Sequence, residues 1–124
     1  ISGKFPYLET SNGSIIGEAE AVCKHIARMN LASGLLGKHS HDHAKINEWI
    51  SWCQISWMPN QNIATNMIFG NTKHDDAKFS KAVKDLKASA KVLDAYLKNQ
   101  KEWLTAEGFS LADIYLGISM APAF

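Results

Sequence analysis

Two short apolar stretches open the chain, Phe5–Glu9 and Ser14–Gly17, joined by a Thr-Ser-Asn-Gly run. The Asn12-Gly13 pair suits a tight reversal with positive φ, so the stretches predict a β-hairpin. From Glu18 to Met29 the period changes: Ala21, Val22, Cys23, Ile26 and Met29 fall on one stripe of a helix. Asn30 to Asp42 is dominated by Gly, Ser and His, which fits neither period and predicts a connector between two layers.

Beyond the connector the pattern is helical to the end of the chain. Ala44–Phe69 carries Ile46, Trp49, Ile50, Cys53 and Trp57 at steps of three and four, with Pro59 as the point where a helix must kink, stop or start again. Asp75–Asn99 is the clearest element, with Phe79, Val83, Leu86, Ala90, Leu93 and Leu97 along one face. A last helix starts at Ser110, where Ser110 and Asp113 have the spacing of a reciprocal cap, and Phe109 and Ile114 that of a hydrophobic staple.

Composition narrows the class without deciding it. With 46% hydrophobic and 20% charged residues in 124, the chain can bury one core, as a single domain or a piece of one. A formal charge of +1 speaks against a strongly electrostatic nucleic-acid or anionic-membrane binder. The lysines between Lys73 and Lys101 alternate with Asp75, Asp76, Asp85, Asp94 and Glu102, the pattern of a solvated helix face. Cys23 and Cys53 are far apart and lack metal or disulfide-framework spacing, which predicts a reducing, cytoplasmic setting. No apolar run approaches a membrane span of about 20 residues. The start at Ile1 and the stop after an apolar run at Phe124 read as cut ends.

The run GKFPYLETSNGSIIGEAEAV resembles the third and fourth strands and following helix of the thioredoxin-like half of glutathione transferases, whose members read approximately GKVPALxxxDGxxLxESxAI. INEWISW, then Pro59, then KVLDAYLKNQKEWLTAEGFSLADI resembles the all-helical half of the same superfamily, and the Trp-rich stretch before Pro59 is most similar to its elongation factor 1 gamma branch. The resemblance implies a mainly α fold: residues 1–30 as the end of a thioredoxin-like α/β half with hairpin and helix, 31–43 as linker, and 44–124 as an incomplete all-helical half.

The resemblance also implies a site. In the family the proline of this motif is cis and the residue before it pairs through its backbone with glutathione, positions held here by Phe5 and Pro6; read without it, Pro6 is an ordinary strand-start proline. Glu18 matches the acidic residue that, with a following serine at a helix N-terminus, holds the γ-glutamyl end, and is otherwise a common first-turn acid. Ala19 replaces that serine, removing a hydrogen bond to a charged group worth about 1.5–3 kcal/mol. The family's thiol-activating residue lies upstream of the matching segment, so no catalytic residue is assigned and glutathione is an optional ligand.

Three functions follow as expectations. The first is an interaction module that docks the exchange subunits of elongation factor 1 and, through them, its alpha subunit, in the cytoplasm and in translation elongation, with a homodimer left open. The second is an active theta-like transferase; the third is a docking appendage of an aminoacyl-tRNA synthetase or other large assembly. Two clusters compete with these sites. His39, His41 and His43 around Asp42 have metal-ligand chemistry, but their place in a polar connector reads as a solvated loop, and no metal is assigned. Trp49, Trp52, Trp57 and Met58 form an aromatic band read as packing.

Overall fold

The computed structural model describes residues 5–100, 102–105 and 108–123. Ile1, Gly3, Lys4, Lys101, Ala106, Glu107 and Phe124, to which parts of the expectations above attach, lie outside them. Strands β1 (Tyr7–Glu9) and β2 (Ile15–Gly17) form an antiparallel hairpin in which Leu8 faces Ile16. Its loop is longer than a two-residue reversal. Gly13 N–H donates to the Thr10 carbonyl at 2.8 Å, and Thr10 N–H to Ser14 at 2.9 Å. Only Gly13 takes positive φ, 79°. Asn12 instead uses its side chain, whose Oδ1 accepts from the Ser14 amide at 3.1 Å.

Helix α1 (Ala19–Met29) buries Val22 and Ala27. Ile26 and Met29, expected on its buried stripe, are 52% and 76% exposed. Among the described residues α1 is packed by the hairpin, by α5 and by the turn that follows it, and these leave Ile26 and Met29 uncovered. A single 3₁₀ turn, Leu31–Ser33, follows.

Helix α2 (Ser40–Trp52) begins four residues before the expected start at Ala44, because the connector carries its own cap. Asp42 is the third helical residue, and its Oδ2 accepts from the backbone N–H of Lys38 at 3.0 Å and of His39 at 2.8 Å. Gly37 makes room for it: its φ is 76°, and a Cβ there would stand 2.2 Å from Asp42 Cβ.

Pro59 does not end the helix. A π-helical turn, Cys53–Trp57, joins α2 to α3 (Met58–Ile68), closing with Met58 N–H on the Cys53 carbonyl, and Pro59 falls in the first turn of α3. A proline lacks the N–H that a regular helix would need there, and the wider turn accommodates that loss. The turn also aims Cys53 and Trp57 inward, where the Trp57 indole N–H donates to the buried Gln61 side chain.

Helix α4 (Asp76–Gln100) lies chiefly against α3, and α5 (Leu111–Met120) against α2. The core is built from Ile46, Trp49, Ile50, Cys53 and Trp57 on one side and Leu111, Ala112 and Leu116 on the other. Trp49 packs edge-on against Tyr96 and Trp52, at 4.5 and 5.4 Å between centroids. The α4 stripe is shallower than its regularity suggests: Phe79, Val83, Leu86, Leu93 and Leu97 are half-buried, Ala90 is exposed, and the fully buried residue is Ala82. The reciprocal cap at Ser110 forms as expected. Asp113 accepts from Ser110 N–H and Ser110 Oγ, both at 2.8 Å, and from Leu104 N–H at 2.9 Å. Phe109 packs its ring on Trp103 at 5.0 Å. The result is the mainly α architecture expected: a hairpin and helix followed by an all-helical part.

Depth should rank the substitutions. Ile50→Ala removes a side chain with no exposure and should cost about 2–5 kcal/mol in a urea titration. Leu93→Ala removes a half-buried one and should cost about 1–1.5 kcal/mol. Equal costs would mean that α4 is as deep in the core as α2. Ser110→Ala, which deletes the cap hydroxyl, should lower stability by about 0.5–2 kcal/mol in the same assay.

Candidate functional site

The backbone crossing from β2 into α1 is held in an unfavourable conformation. Glu18 has φ 65° and ψ 125°, and is the one non-glycine among the described residues with positive φ. Such a conformation costs of order 1–3 kcal/mol and persists only where surrounding structure enforces it. Here the Glu18 carbonyl accepts the Val22 N–H at 3.0 Å, so α1 begins at once after the strand. The free amides of the first turn then face outward, where the helix dipole favours a ligand's negative charge.

That turn opens onto a cleft of about 840 Å³. Phe5, Pro6, Glu18 and Ala19 form one wall, so the four positions that the motif resemblance marked stand together. The Phe5-Pro6 peptide is cis, and the Phe5 ring is exposed and stacked on Tyr7 at 5.3 Å. The opposite wall comes from the second half of the chain: Gln54 in the π turn, Met58, Pro59 and Asn62 in α3, and Tyr115 in α5.

Glu20 completes the floor and was missed by sequence reasoning, although an acid in the first turn of a helix was its signal. One carboxylate oxygen is paired with Lys24 and the other accepts from Gln54 Nε2 at 2.9 Å. Partial burial pushes its carboxyl up, but the hydrogen bonds from Lys24 and Gln54 and the Lys24 charge outweigh this and hold it below the ordinary carboxylate range. Gln54 and Tyr115 carried no sequence signal, because they belong to the cleft only through the packing of α2, the π turn and α5 around α1.

The other chemistry-bearing groups lie elsewhere. Cys53 is fully buried in the core, where burial pushes its thiol up against a smaller lowering by a hydrogen bond with Ser119. Trp49 and Trp57 are core residues, and of the aromatic band's neighbours Met58 alone lines the cleft. The histidines are in a helix start and not in a loop: His39 is the N-cap of α2, and His41 and His43 are exposed on its first turns. Positions two apart on a helix diverge, and Asp42 between them is turned back onto its own N-terminus. Among the described residues no group of three or more His, Cys, Asp or Glu could hold a metal ion. None of the helices is long and apolar enough to cross a membrane, among the same residues.

No protein-family model matches the chain. It is 28% identical over 124 residues to the glutathione S-transferase-like protein LUC7 of a Fusarium species, covering 99% of this chain and 56% of that protein. It is 30% identical over 114 residues to the glutathione S-transferase-like protein FUS3 of Gibberella moniliformis, covering 91% and 51%. Elongation factor 1-gamma of Prunus avium is 29% identical over 112 residues, covering 90% of this chain and 26% of that one. The chain thus spans about half the length of the first two relatives. Among solved structures, glutathione transferase F2 from Populus trichocarpa superposes with a TM-score of 0.79 at 16% identity, over 97% of this chain and 56% of that one. The fold is glutathione-transferase-like.

The role of Asp42 has a pH signature. Hydrogen bonds from the His39 and Lys38 amides hold its carboxyl below the ordinary carboxylate range, against the opposing effect of burial. A carboxyl depressed on folding stabilises the fold fully above its unfolded value, near 4, and ceases to do so as pH falls through the folded value. Asp42→Asn should therefore lower the melting temperature at neutral pH, and the gap from wild type should close as pH drops below about 4. A gap constant with pH would remove the charge from this account.

Proposed function

We propose that this chain is the ligand-binding part of a glutathione-transferase-like protein, and that the cleft between α1 and the π turn receives glutathione or a closely related γ-glutamyl peptide. The observation that carries this is the convergence of Phe5, Pro6 and Glu18 on one wall of a single cleft, at the head of a helix. The amides at the start of α1 suit the γ-glutamyl carboxylate, and the carboxylate of Glu18 suits the neighbouring ammonium. Similarity to two fungal glutathione S-transferase-like proteins over more than nine-tenths of the chain supports the same reading. Two free cysteines fit a reducing, cytoplasmic setting.

Ala19 sets the strength of this site. The hydroxyl absent there would donate to a charged ligand group, so glutathione is held weakly and Ala19→Ser should tighten it about tenfold to a hundredfold. Titration calorimetry of both proteins with glutathione tests this. Heat from the wild type with tighter binding by the variant supports the cleft reading; no binding by either overturns it.

A second reading rests on the similarity to elongation factor 1-gamma and on the same Ala19. In it the cleft is vestigial and the chain docks the exchange subunits of elongation factor 1, its specificity residing in exposed helix faces. Co-elution of the chain with purified exchange subunits on gel filtration, together with silence in calorimetry, is the result expected from this reading.

A further inference from the structure

Away from the cleft, and sharing no residue with it, a small pocket of about 40 Å³ lies between α1 and α2. Each helix contributes a pair four residues apart: Lys24 and Arg28 from α1, His43 and Asn47 from α2. Positions i and i+4 share a helix face, so the two pairs confront each other across the gap. Buried Leu36 and Ile46 complete the lining, and no acid belongs to it. Among the described residues Lys24 is paired with Glu20, whereas the side chains of Arg28, His43 and Asn47 have no hydrogen-bond partner. The place of Arg28 in the last turn of α1 suits the helix dipole, but the dipole does not bring His43 and Asn47 beside it. The acids of these two helices are all engaged: Glu20 by Lys24 and Gln54, Asp42 by the Lys38 and His39 amides, and Glu48 by Lys45.

We infer that this pocket binds a phosphate group, either as inorganic phosphate or as the head of a small phosphomonoester. The room available is little more than one water's share of the liquid, about 30 Å³, so a single group enters and any organic body stays in solvent. The donors come from two facing helices. A tetrahedral anion, with three or more acceptor oxygens, can meet both sides at once, where a planar carboxylate offers only two oxygens. Arg28 supplies the uncompensated charge, and its guanidinium can fork onto two phosphate oxygens. Lys24 has half of its task taken by Glu20, and His43 and Asn47 add hydrogen bonds from the other side. The apolar side chains of Leu36 and Ile46 keep water from that side of the anion, which strengthens each of these contacts. A bound phosphate therefore links α1 to α2.

The inference is independent of the glutathione reading, since the two sites have no lining residue in common. The full chain is titrated with inorganic phosphate, methyl phosphate and acetate in turn, at fixed pH and with ionic strength balanced by sodium chloride. NMR follows the ring signals of the five histidines. The His43 ring should shift along a saturable curve in inorganic phosphate, with a Kd on the order of 1 mM. Acetate should bind at least about threefold more weakly, the range of one lost hydrogen bond. Arg28→Gln, at an exposed position, should weaken the His43 response about tenfold or more, and Asn47→Ala about threefold to tenfold. Saturation by methyl phosphate as well supports a site for the head of a larger ligand; saturation by inorganic phosphate alone supports a site for the free ion. The inference is overturned if His43 gives no saturable response to either phosphate, or if sodium chloride alone reproduces the response. It is equally overturned if Arg28→Gln keeps the wild-type curve, or if acetate binds as tightly as phosphate.

Discussion

The wide helical turn at Cys53–Trp57 is the constraint on which most of this molecule depends. A regular helix through Pro59 would lose a hydrogen bond and push the proline ring against the preceding turn; a break would let α2 and α3 swing independently. The π turn does neither. It keeps the two helices in one run, so that α2 packs on α5 while α3 packs on α4. It also rotates successive side chains to opposite duties, with Cys53 and Trp57 in the core and Gln54 in the cleft. An inserted residue in a helix re-aims everything around it, and here it does so at the point where the two halves of the site meet.

The site itself is assembled from two kinds of order. On one wall, local backbone geometry dominates: the strand ends at Gly17, Glu18 takes a strained conformation, and α1 starts. On the other, tertiary packing dominates, since Gln54 and Tyr115 are 61 residues apart and touch only because α2 and α5 share a core. Glu20 ties the walls together, with Lys24 on its own helix and Gln54 across the cleft.

This division explains what could be read from the sequence. The hairpin, the long helix α4 and the cap at Ser110 were legible because each is decided within a few residues by turn chemistry, periodicity or a reciprocal pair. Phe5, Pro6 and Glu18 were legible through a motif resemblance, which places residues but does not report their surroundings. Depth was not legible: α4 has the most regular stripe yet lies half-exposed, and Ile26 and Met29 fit their stripe and face out, because periodicity names a face without saying what covers it. The early start of α2 was not legible because it depends on Asp42 reaching back to the Lys38 and His39 amides, which a Gly-, Ser- and His-rich composition does not show.

Gly37 and Asp42 form a pair whose members cannot change independently. A Cβ at position 37 would occupy the space of the Asp42 side chain, and without that side chain the amides of Lys38 and His39 lose their acceptor. Neither residue touches the cleft, so neither would be retained for ligand binding. They form an epistatic unit: in a lineage of such chains, glycine at the first position and an acceptor at the second should be inherited or lost together, whatever becomes of the activity beside them.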